Sequence, residues 1–344
     1  MTRDHTTMRG ALTRRTMLSL SAATVLAGSA GIAHAASPSV RVGWVSALSW
    51  TPWKAAVDSM KDVKVEVVPF GSSNEELVAL ASGSIDMAPV GYNNVAALLA
   101  AGDVPARFVA GISANGSAFL ARKGSGIKDW SDLKGKKIGS VRGSTQYVNL
   151  VTSLAQHNLD VNNPKDVDFV SIQNFTDLNL ALQRGDVDAI VTFPPLSEQA
   201  IQAGYAQRVP AIQKTLYDGS FFVASGILAS DRIIKNDPGI VQKIIDAYVE
   251  KIDSYAKDHA AWIKEFKALS ASTIDDALFQ QAFDAKEFLP YLNLDQKQIE
   301  QVATTLYNLK VIPTNTTAAL VKHLDYTFLA KATGKTPEEL GKAS

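Results

Sequence analysis

Apolar and polar residues follow one another in short blocks that predict strands alternating with helices. Apolar runs at 40–45, 63–70 and 85–90 predict three strands, and apolar residues at helical spacing predict a helix over 73–81. A further helix is expected after the first strand, with Pro52 in its first turn. This alternation favours a lobe built on a parallel sheet.

The same construction returns about a hundred residues later. The phrase ALASGSID at 79–86 recurs as ALQRGDVD at 181–188. In each copy an apolar helix stripe meets a Gly, which suits the left-handed residue after a helix, and an acidic residue then opens an apolar run. The second copy predicts strands at 137–141, 167–172 and 187–192, with helices running through Leu154 and over 176–183.

Two extended runs connect these units. They cover 106–122 and 220–229, and each is interrupted by Gly and small polar residues. We expect them to carry the chain from the first lobe to the second and back, as a two-strand hinge. From residue 237 onward the spacing predicts packing helices, including 278–283 and 299–309.

The first 35 residues are predicted to be a twin-arginine export signal, because Arg14 and Arg15 precede an uncharged run that ends at a small-x-small cleavage site around Ala35. A retained membrane anchor is the alternative. The sequence contains no Cys, which excludes a lipoprotein anchor and disulfides. The product is therefore expected in the periplasm or outside the cell.

Charge argues against two classes of partner. Removing the leader takes away four of the 34 basic residues and one of the 34 acidic ones, which leaves a net charge of about −3. Such a balance provides no electrostatic footprint for nucleic acid or for an anionic membrane.

Ligands of open α/β sheets lie beyond the carboxyl ends of the strands, where helix N-termini point unpaired amides. This rule selects the loops 46–51, 91–94, 142–147 and 192–195. Gly143 with the hydroxyls of Ser144 and Thr145 forms the best candidate for an anion, although a Ser at a helix start is often only a cap. The aromatic residues lean towards an organic ligand. The predicted ligand-binding residues are Ser46, Trp50, Thr51, Tyr92, Asn93, Asn94, Asn115, Gly143, Ser144, Thr145, Gln146, Phe193 and Pro194.

Enzyme signatures are missing from the sequence. The five His have no metal-ligand spacing, and neither a nucleophile elbow nor a phosphate-binding P-loop occurs. Asp86 and Asp188 would lie at the strand ends opposite the cleft, where we expect them to close the turns after Gly83 and Gly185. We therefore predict no catalytic residue, no metal and no cofactor.

Several motifs together resemble one known family. They are AL-x-x-G-x-ID at 79–86, DLKGKKIG at 132–139 followed by Gly143 and Ser144, AL-x-x-G-x-VDA at 181–189, and YNLKVIP at 307–313. The chain is similar to solute-binding proteins of ATP-binding-cassette importers, in the branch for nitrate, aliphatic sulfonates, taurine and thiamin-pyrimidine precursors. The resemblance implies a two-lobed α/β fold of the type II periplasmic-binding kind, with two mixed, mainly parallel sheets and flanking helices. It also implies closure about a two-strand hinge and delivery to a membrane permease.

The resemblance divides the chain into lobe 1 at 36–113, lobe 2 at 114–225, and a return to lobe 1 with C-terminal helices at 226–344. It implies a monomer that captures a small anion, and the favoured ligand is an aliphatic sulfonate or a taurine-like molecule. The sequence departs from sulfonate binders at Phe193-Pro194-Pro195, where no carboxylate stands for a distal amine. Two alternatives stay open: a pyrimidine or carboxylate as the ligand, and a role as the sensory partner of a receptor. A thiamin-pyrimidine synthase is disfavoured, because such an enzyme would be expected to carry Cys and His near the cleft and the sequence has no Cys.

Overall fold

The computed structural model describes residues 39–216 and 222–343. The predicted export signal and the start of the second crossing run lie outside these residues. The strands are β1 Ser39–Trp44, β2 Lys64–Pro69, β3 Met87–Gly91, β4 Ala106–Asn115, β5 Ala118–Arg122, β6 Lys136–Val141, β7 Val167–Ile172, β8 Ala189–Thr192, β9 Ala206–Arg208, β10 Val223–Ser230 and β11 Phe288–Pro290.

Helices follow most strands at their carboxyl ends, as the spacing of apolar residues predicts. They are α1 Thr51–Asp58, α2 Ser73–Ala81, α3 Tyr92–Leu99, α4 Thr145–Gln156, α5 Phe175–Arg184, α6 Leu196–Gln202, α7 Pro210–Thr215, α8 Asp231–Asn236, α9 Pro238–Lys257, α10 His259–Ser270, α11 Asp276–Asp284, α12 Gln296–Asn308, α13 Thr317–Val321 and α14 Thr327–Thr333. Short 3-10 turns lie at Leu48–Trp50 and Trp130–Leu133.

Two sheets organise these elements. The larger has the strand order β11-β4-β10-β3-β1-β2, and the part built on it is called lobe 1. The smaller has the order β7-β6-β8-β5-β9, and the part built on it is called lobe 2. The predicted α/β fold with two mixed sheets and flanking helices is confirmed.

Parallel pairing belongs to the repeated unit. β1 pairs in parallel with β2 and β3, and β6 pairs in the same way with β7 and β8. The remaining pairs, which involve β4, β5, β9, β10 and β11, are antiparallel. Each sheet therefore combines one copy of the parallel unit with antiparallel strands along one edge.

Helices from the C-terminal third complete lobe 1. The apolar face of α9 packs on α1, and both bury residues against the sheet, among them Trp53, Ile244 and Tyr248. A second cluster of aromatic residues, around Trp262, Phe266 and Phe279, joins α10 and α11 to the turn at Leu48. These helices therefore pack behind α1 and the turn that follows β1.

The acidic residues that open the third strand of each unit brace the first strand. Asp86 accepts the backbone N–H of Arg41 at 2.8 Å, and Asp188 accepts that of Lys137 at 3.1 Å. Arg41 and Arg122 add ion pairs to these carboxylates. The expectation that the two carboxylates close the preceding turns is thus corrected, because their partners lie on the neighbouring strand.

The first crossing between lobes is a sharp bend between β4 and β5. Asn115 and Gly116 both have positive φ, at 66° and 87°. The Asn115 amide donates to the carbonyl of Lys286 at 3.0 Å, and its oxygen accepts the N–H of Phe222 at 3.1 Å. Asn115 therefore secures the backbone at the crossing.

Candidate functional site

A cavity of about 720 Å³ lies between the two lobes at the carboxyl ends of the parallel strands. This volume is within the range of small-molecule pockets in proteins. Its wall is formed by the loops after β1, β2, β3, β6, β7 and β8 together with the crossing strands β4 and β10. The duplicated unit thus supplies corresponding loops from both sides.

Each of the four loops chosen from the sequence contributes to this wall. The predicted residues that line it are Ser46, Trp50, Asn94, Ser144, Thr145, Gln146, Phe193 and Pro194. Trp50 and Ser144 are both buried, with 8% of each residue exposed. These eight residues come from both lobes and converge on one space.

Five other predicted residues do not line the cavity. Thr51 donates its hydroxyl to the carbonyl of Leu48 at 2.8 Å, and Asn115 is held at the crossing. The ring of Tyr92 packs in the core, with its centroid 4.6 Å from that of Phe108. Asn93 and Gly143 bind each other, since the Asn93 amide donates to the Gly143 carbonyl at 2.8 Å. Thr51, Asn93, Asn115 and the carbonyl of Gly143 are therefore hydrogen-bonded within the protein, and Tyr92 is buried in the core.

The N-terminus of α4 carries the most favourable environment for an anion. Ser144 accepts the N–H of Tyr147 at 3.1 Å, which leaves its hydroxyl proton free for another acceptor. The first turn of α4 contains no acidic residue, so nothing there opposes the positive end of the helix dipole. Arg142 turns away, because its guanidinium donates to the Tyr147 hydroxyl and lies over the rings of Tyr147 and Phe169.

Sequence reasoning missed the loops after β2 and β7. Ser72 accepts the N–H of Glu75 at 3.3 Å, and Asn174 accepts the N–H of Asp177 at 2.8 Å, so each loop caps the next helix. The two acidic residues are 102 positions apart, at equivalent places in the repeat. Applying the strand-end rule to every strand of the unit would have found both loops.

Charge on the wall of the cavity is negative. Among the described lining residues, Glu75 and Asp177 are the only ionisable ones, and both are exposed at the rim. An anionic group inside therefore meets helix N-termini and neutral donors in place of Lys or Arg. A positively charged group would be favoured at the rim by the two carboxylates.

The floor of the cavity lies on the two long strands of lobe 1. Ser113 on β4 and Ser225 on β10 share a hydrogen bond of 2.7 Å, and the indole N–H of Trp50 donates to Ser225 at 3.3 Å. One of the two serine protons is left over by this arrangement. Apolar walls are provided by aromatic side chains, namely Phe70, Phe175, Phe193 and Phe288.

Direct hydrogen bonds join the lobes beside the cavity. Asn93 of lobe 1 donates to the Gly143 carbonyl of lobe 2 and accepts the hydroxyl of Thr145 at 2.7 Å. The N–H of Leu48 in lobe 1 donates to the carbonyl of Pro194 in lobe 2 at 3.2 Å. These contacts hold the four strand-end loops together.

A buried charge cluster joins the lobes near the crossing. Arg208 on β9 bonds to both Glu198 on α6 and Glu287, the residue before β11. Burial raises the pKa of Glu198 to about 8, with a further increase from Glu287, while Arg208 acts in the opposite direction. Burial likewise raises the pKa of Glu287. The folded protein therefore retains a proton in this cluster up to a higher pH than free carboxyl groups would.

Metal-binding clusters and membrane-spanning helices were both looked for among the described residues. They contain no group of three or more His, Asp or Glu placed to hold a metal ion. Within the same residues, no helix combines the length and apolar character needed to cross a membrane.

Comparison with known proteins agrees with the fold. The family model described as NMT1/THI5 like matches residues 59–260. Among solved structures, the alkanesulfonate-binding protein SsuA from Xanthomonas axonopodis pv. citri shares 20% identity and a TM-score of 0.68, over 84% of this chain and 98% of that one. The periplasmic nitrate-binding protein NrtA from Synechocystis PCC 6803 shares 13% identity and a TM-score of 0.69, over 89% and 91%.

One similar structure is an enzyme. The desulfurization enzyme DSZB shares 18% identity and a TM-score of 0.60, over 86% of this chain and 99% of that one. No curated protein matches the sequence. At these identities the structural matches establish a shared fold, which binding proteins and at least one enzyme use.

Proposed function

Because this chain belongs to the NMT1/THI5-like family, we propose that it is an extracytoplasmic solute-binding protein that delivers its ligand to the permease of an ATP-binding-cassette importer. The observation that carries the proposal is the cavity between two lobes, which both copies of the repeated unit line with corresponding loops. In this proposal lobe 1 comprises 36–113 and 226–344, lobe 2 comprises 114–225, and the leader 1–35 exports a monomer.

The ligand that fits the cavity best carries an acidic group at one end and an amine at the other. The acidic group would lie at the N-terminus of α4. There the Ser144 hydroxyl is a neutral hydrogen-bond donor, and the helix dipole provides partial positive charge. The amine would lie towards Glu75 and Asp177 at the rim. An amino-sulfonate such as taurine has this distribution of charge. The carboxylate that the sequence motif after β8 lacks is thus available from two other loops.

A binding protein is favoured over an enzyme by the chemistry of the wall. Its described residues combine hydroxyls, amides, aromatic rings and two rim carboxylates, with no His, Cys or Lys. A nucleophile paired with a base, which covalent catalysis requires, is not assembled by these lining residues.

Titration calorimetry with matched ligands tests the proposal. Taurine, ethanesulfonate and ethylamine differ only in whether the amine, the sulfonate or both are present. We expect taurine to bind most tightly, ethanesulfonate more weakly and ethylamine hardly at all. Nitrate, small carboxylates and pyrimidines complete the panel, and a carboxylate or pyrimidine binding more tightly than any sulfonate would overturn the ligand assignment. Absence of binding across the panel and of a copurified small molecule by mass spectrometry would count against solute binding itself.

A further inference from the structure

The two bridges beside the cavity are reciprocal. In one, Asn93 after β3 of lobe 1 reaches the loop that follows β6 of lobe 2. In the other, Pro194 after β8 of lobe 2 reaches Leu48 in the loop that follows β1 of lobe 1. β3 corresponds to β8 and β1 to β6 in the repeat, so each unit offers the same two loops to the other.

We infer that Asn93 is a latch that holds the two lobes closed over the cavity, and that it positions the lobes and does not contact the ligand. The Asn93 bridge is made by a side chain, whereas Leu48 and Pro194 bind each other through backbone atoms. Substitution can therefore remove the Asn93 bridge selectively.

The amide of Asn93 is matched to both of its partners in lobe 2. The carbonyl of Gly143 can only accept, so it must face the amide NH₂, and the amide oxygen then faces the hydroxyl of Thr145. Asn93 is 3% exposed, which protects both bonds from water. The reverse orientation would place two oxygens against each other. The two partners therefore fix the orientation of the Asn93 carboxamide.

Neither Asn93 nor Gly143 lines the cavity, although both were candidates for ligand binding. Their hydrogen-bonding groups are occupied by each other across the lobes. When the lobes separate, these groups pass to water, so the two bonds favour the closed arrangement by a modest net amount. Loss of both is expected to raise the ratio of open to closed molecules about tenfold.

Lobe separation can be measured directly because the chain has no Cys. Val78 on α2 and Leu180 on α5 are exposed, lie on different lobes and do not line the cavity. If both residues are replaced by Cys and spin-labelled, pulsed electron paramagnetic resonance measures the distance between the labels across the cleft. This measurement needs neither the ligand nor the permease, so failure of the proposed transport function would not affect it.

The test compares Asn93→Ala with Gln242→Ala in the labelled protein. Gln242 is a buried carboxamide that donates to the carbonyl of Phe328 within lobe 1, so its loss removes a similar bond without crossing the lobes. We expect Asn93→Ala to shift the distance distribution towards larger separations and Gln242→Ala to leave it unchanged. Thr145→Val, which removes one of the two bonds, should give an intermediate shift.

An unchanged distribution in both Asn93→Ala and Thr145→Val would overturn the latch. An equal shift in Gln242→Ala would do the same, because it would show that the separation responds to general loss of stability. If Asn93→Ala does not fold, the Thr145→Val measurement decides the matter alone. Where the proposed function also holds, faster ligand dissociation from Asn93→Ala than from Gln242→Ala is expected.

Discussion

Glu76 in lobe 1 and Leu178 in lobe 2 occupy the same position in the two copies of the repeated unit. A Cβ added to Gly43 of β1 would lie 2.7 Å from Glu76 Oε1, and one added to Gly139 of β6 would lie 2.9 Å from Leu178 Cδ1. The side chain of Glu76 is fully buried, and neither of its carboxyl oxygens has a hydrogen-bond partner. Burial, with a further contribution from Glu75, raises the pKa of Glu76 well above its usual value.

Replacement of Glu76 by the residue of the other copy is expected to stabilise the protein. Glu76→Leu removes an unpartnered buried carboxyl, for which about 1 to 3 kcal/mol of unfolding free energy is a typical gain. In the other copy Leu178 of α5 packs beside Gly139, so we expect a leucine to fit beside Gly43 as well. Urea unfolding of the two proteins checks the prediction, and a destabilised variant would contradict it.

The contribution of Glu76 to stability depends on pH with a defined sign. Since the pKa of Glu76 is raised in the folded state, its contribution is most favourable below the pKa of the unfolded chain and is lost as pH rises through the folded value. Glu76→Gln should therefore flatten the decline in stability towards alkaline pH. Glu66→Gln, which changes an exposed carboxylate on β2, serves as the control and should leave the profile as it is.

Ser144 is predicted to serve both helix α4 and the ligand. Ser144→Ala should lower the unfolding free energy by about 1 kcal/mol through loss of the helix cap. It should also weaken the binding of a sulfonate by roughly tenfold, because a donor to the anion is lost. Calorimetry and thermal unfolding measure the two effects separately.

Ser230 provides the matched control for Ser144. It caps α8 by accepting the N–H of Ile233 at 3.3 Å and does not line the cavity. Ser230→Ala should thus cost a similar amount of stability and leave affinity unchanged. Equal affinities of the two variants would show that Ser144 acts only as a cap.

Asp177 is predicted to distinguish ligands by their amine. Asp177→Asn removes the charge and keeps an oxygen that can accept from Asn174. Because the carboxylate is exposed, we expect only a twofold to fivefold loss of taurine affinity, together with unchanged affinity for ethanesulfonate. If both ligands were weakened to the same extent, the amine would not be near Asp177.

Glu198 is expected to make stability fall between about pH 4.5 and 8. The folded protein keeps a proton on Glu198 up to its pKa of about 8, whereas the unfolded chain releases it near 4.5. The stabilisation is fully present below the lower value and is lost as pH rises through the higher one. Glu198→Gln should remove this part of the decline, as thermal unfolding at pH 5, 6.5 and 8 would show, and an unaltered profile would exclude Glu198 as its source.

Local patterns in the amino-acid sequence are enough to predict the repeated order of strands and helices, the α/β class and the loops at the carboxyl ends of the strands. These are local properties, since apolar spacing, helix caps and turn glycines act within a few residues. Helix α2 and strand β7 have the predicted bounds for this reason. The repeat could be found because each copy must bury the same faces.

Contacts between distant parts of the chain determine which candidate residues line the cavity and which bind other parts of the protein. Asn93 and Asn94 are neighbours with the same side chain, yet Asn94 lines the cavity while Asn93 joins the lobes. Glu75 and Glu76 differ in the same way. Glu75 is exposed at the rim, whereas Glu76 is buried on the side of α2 that faces β1. On a helix, consecutive side chains point about 100° apart, so their surroundings depend on contacts with residues distant in the chain.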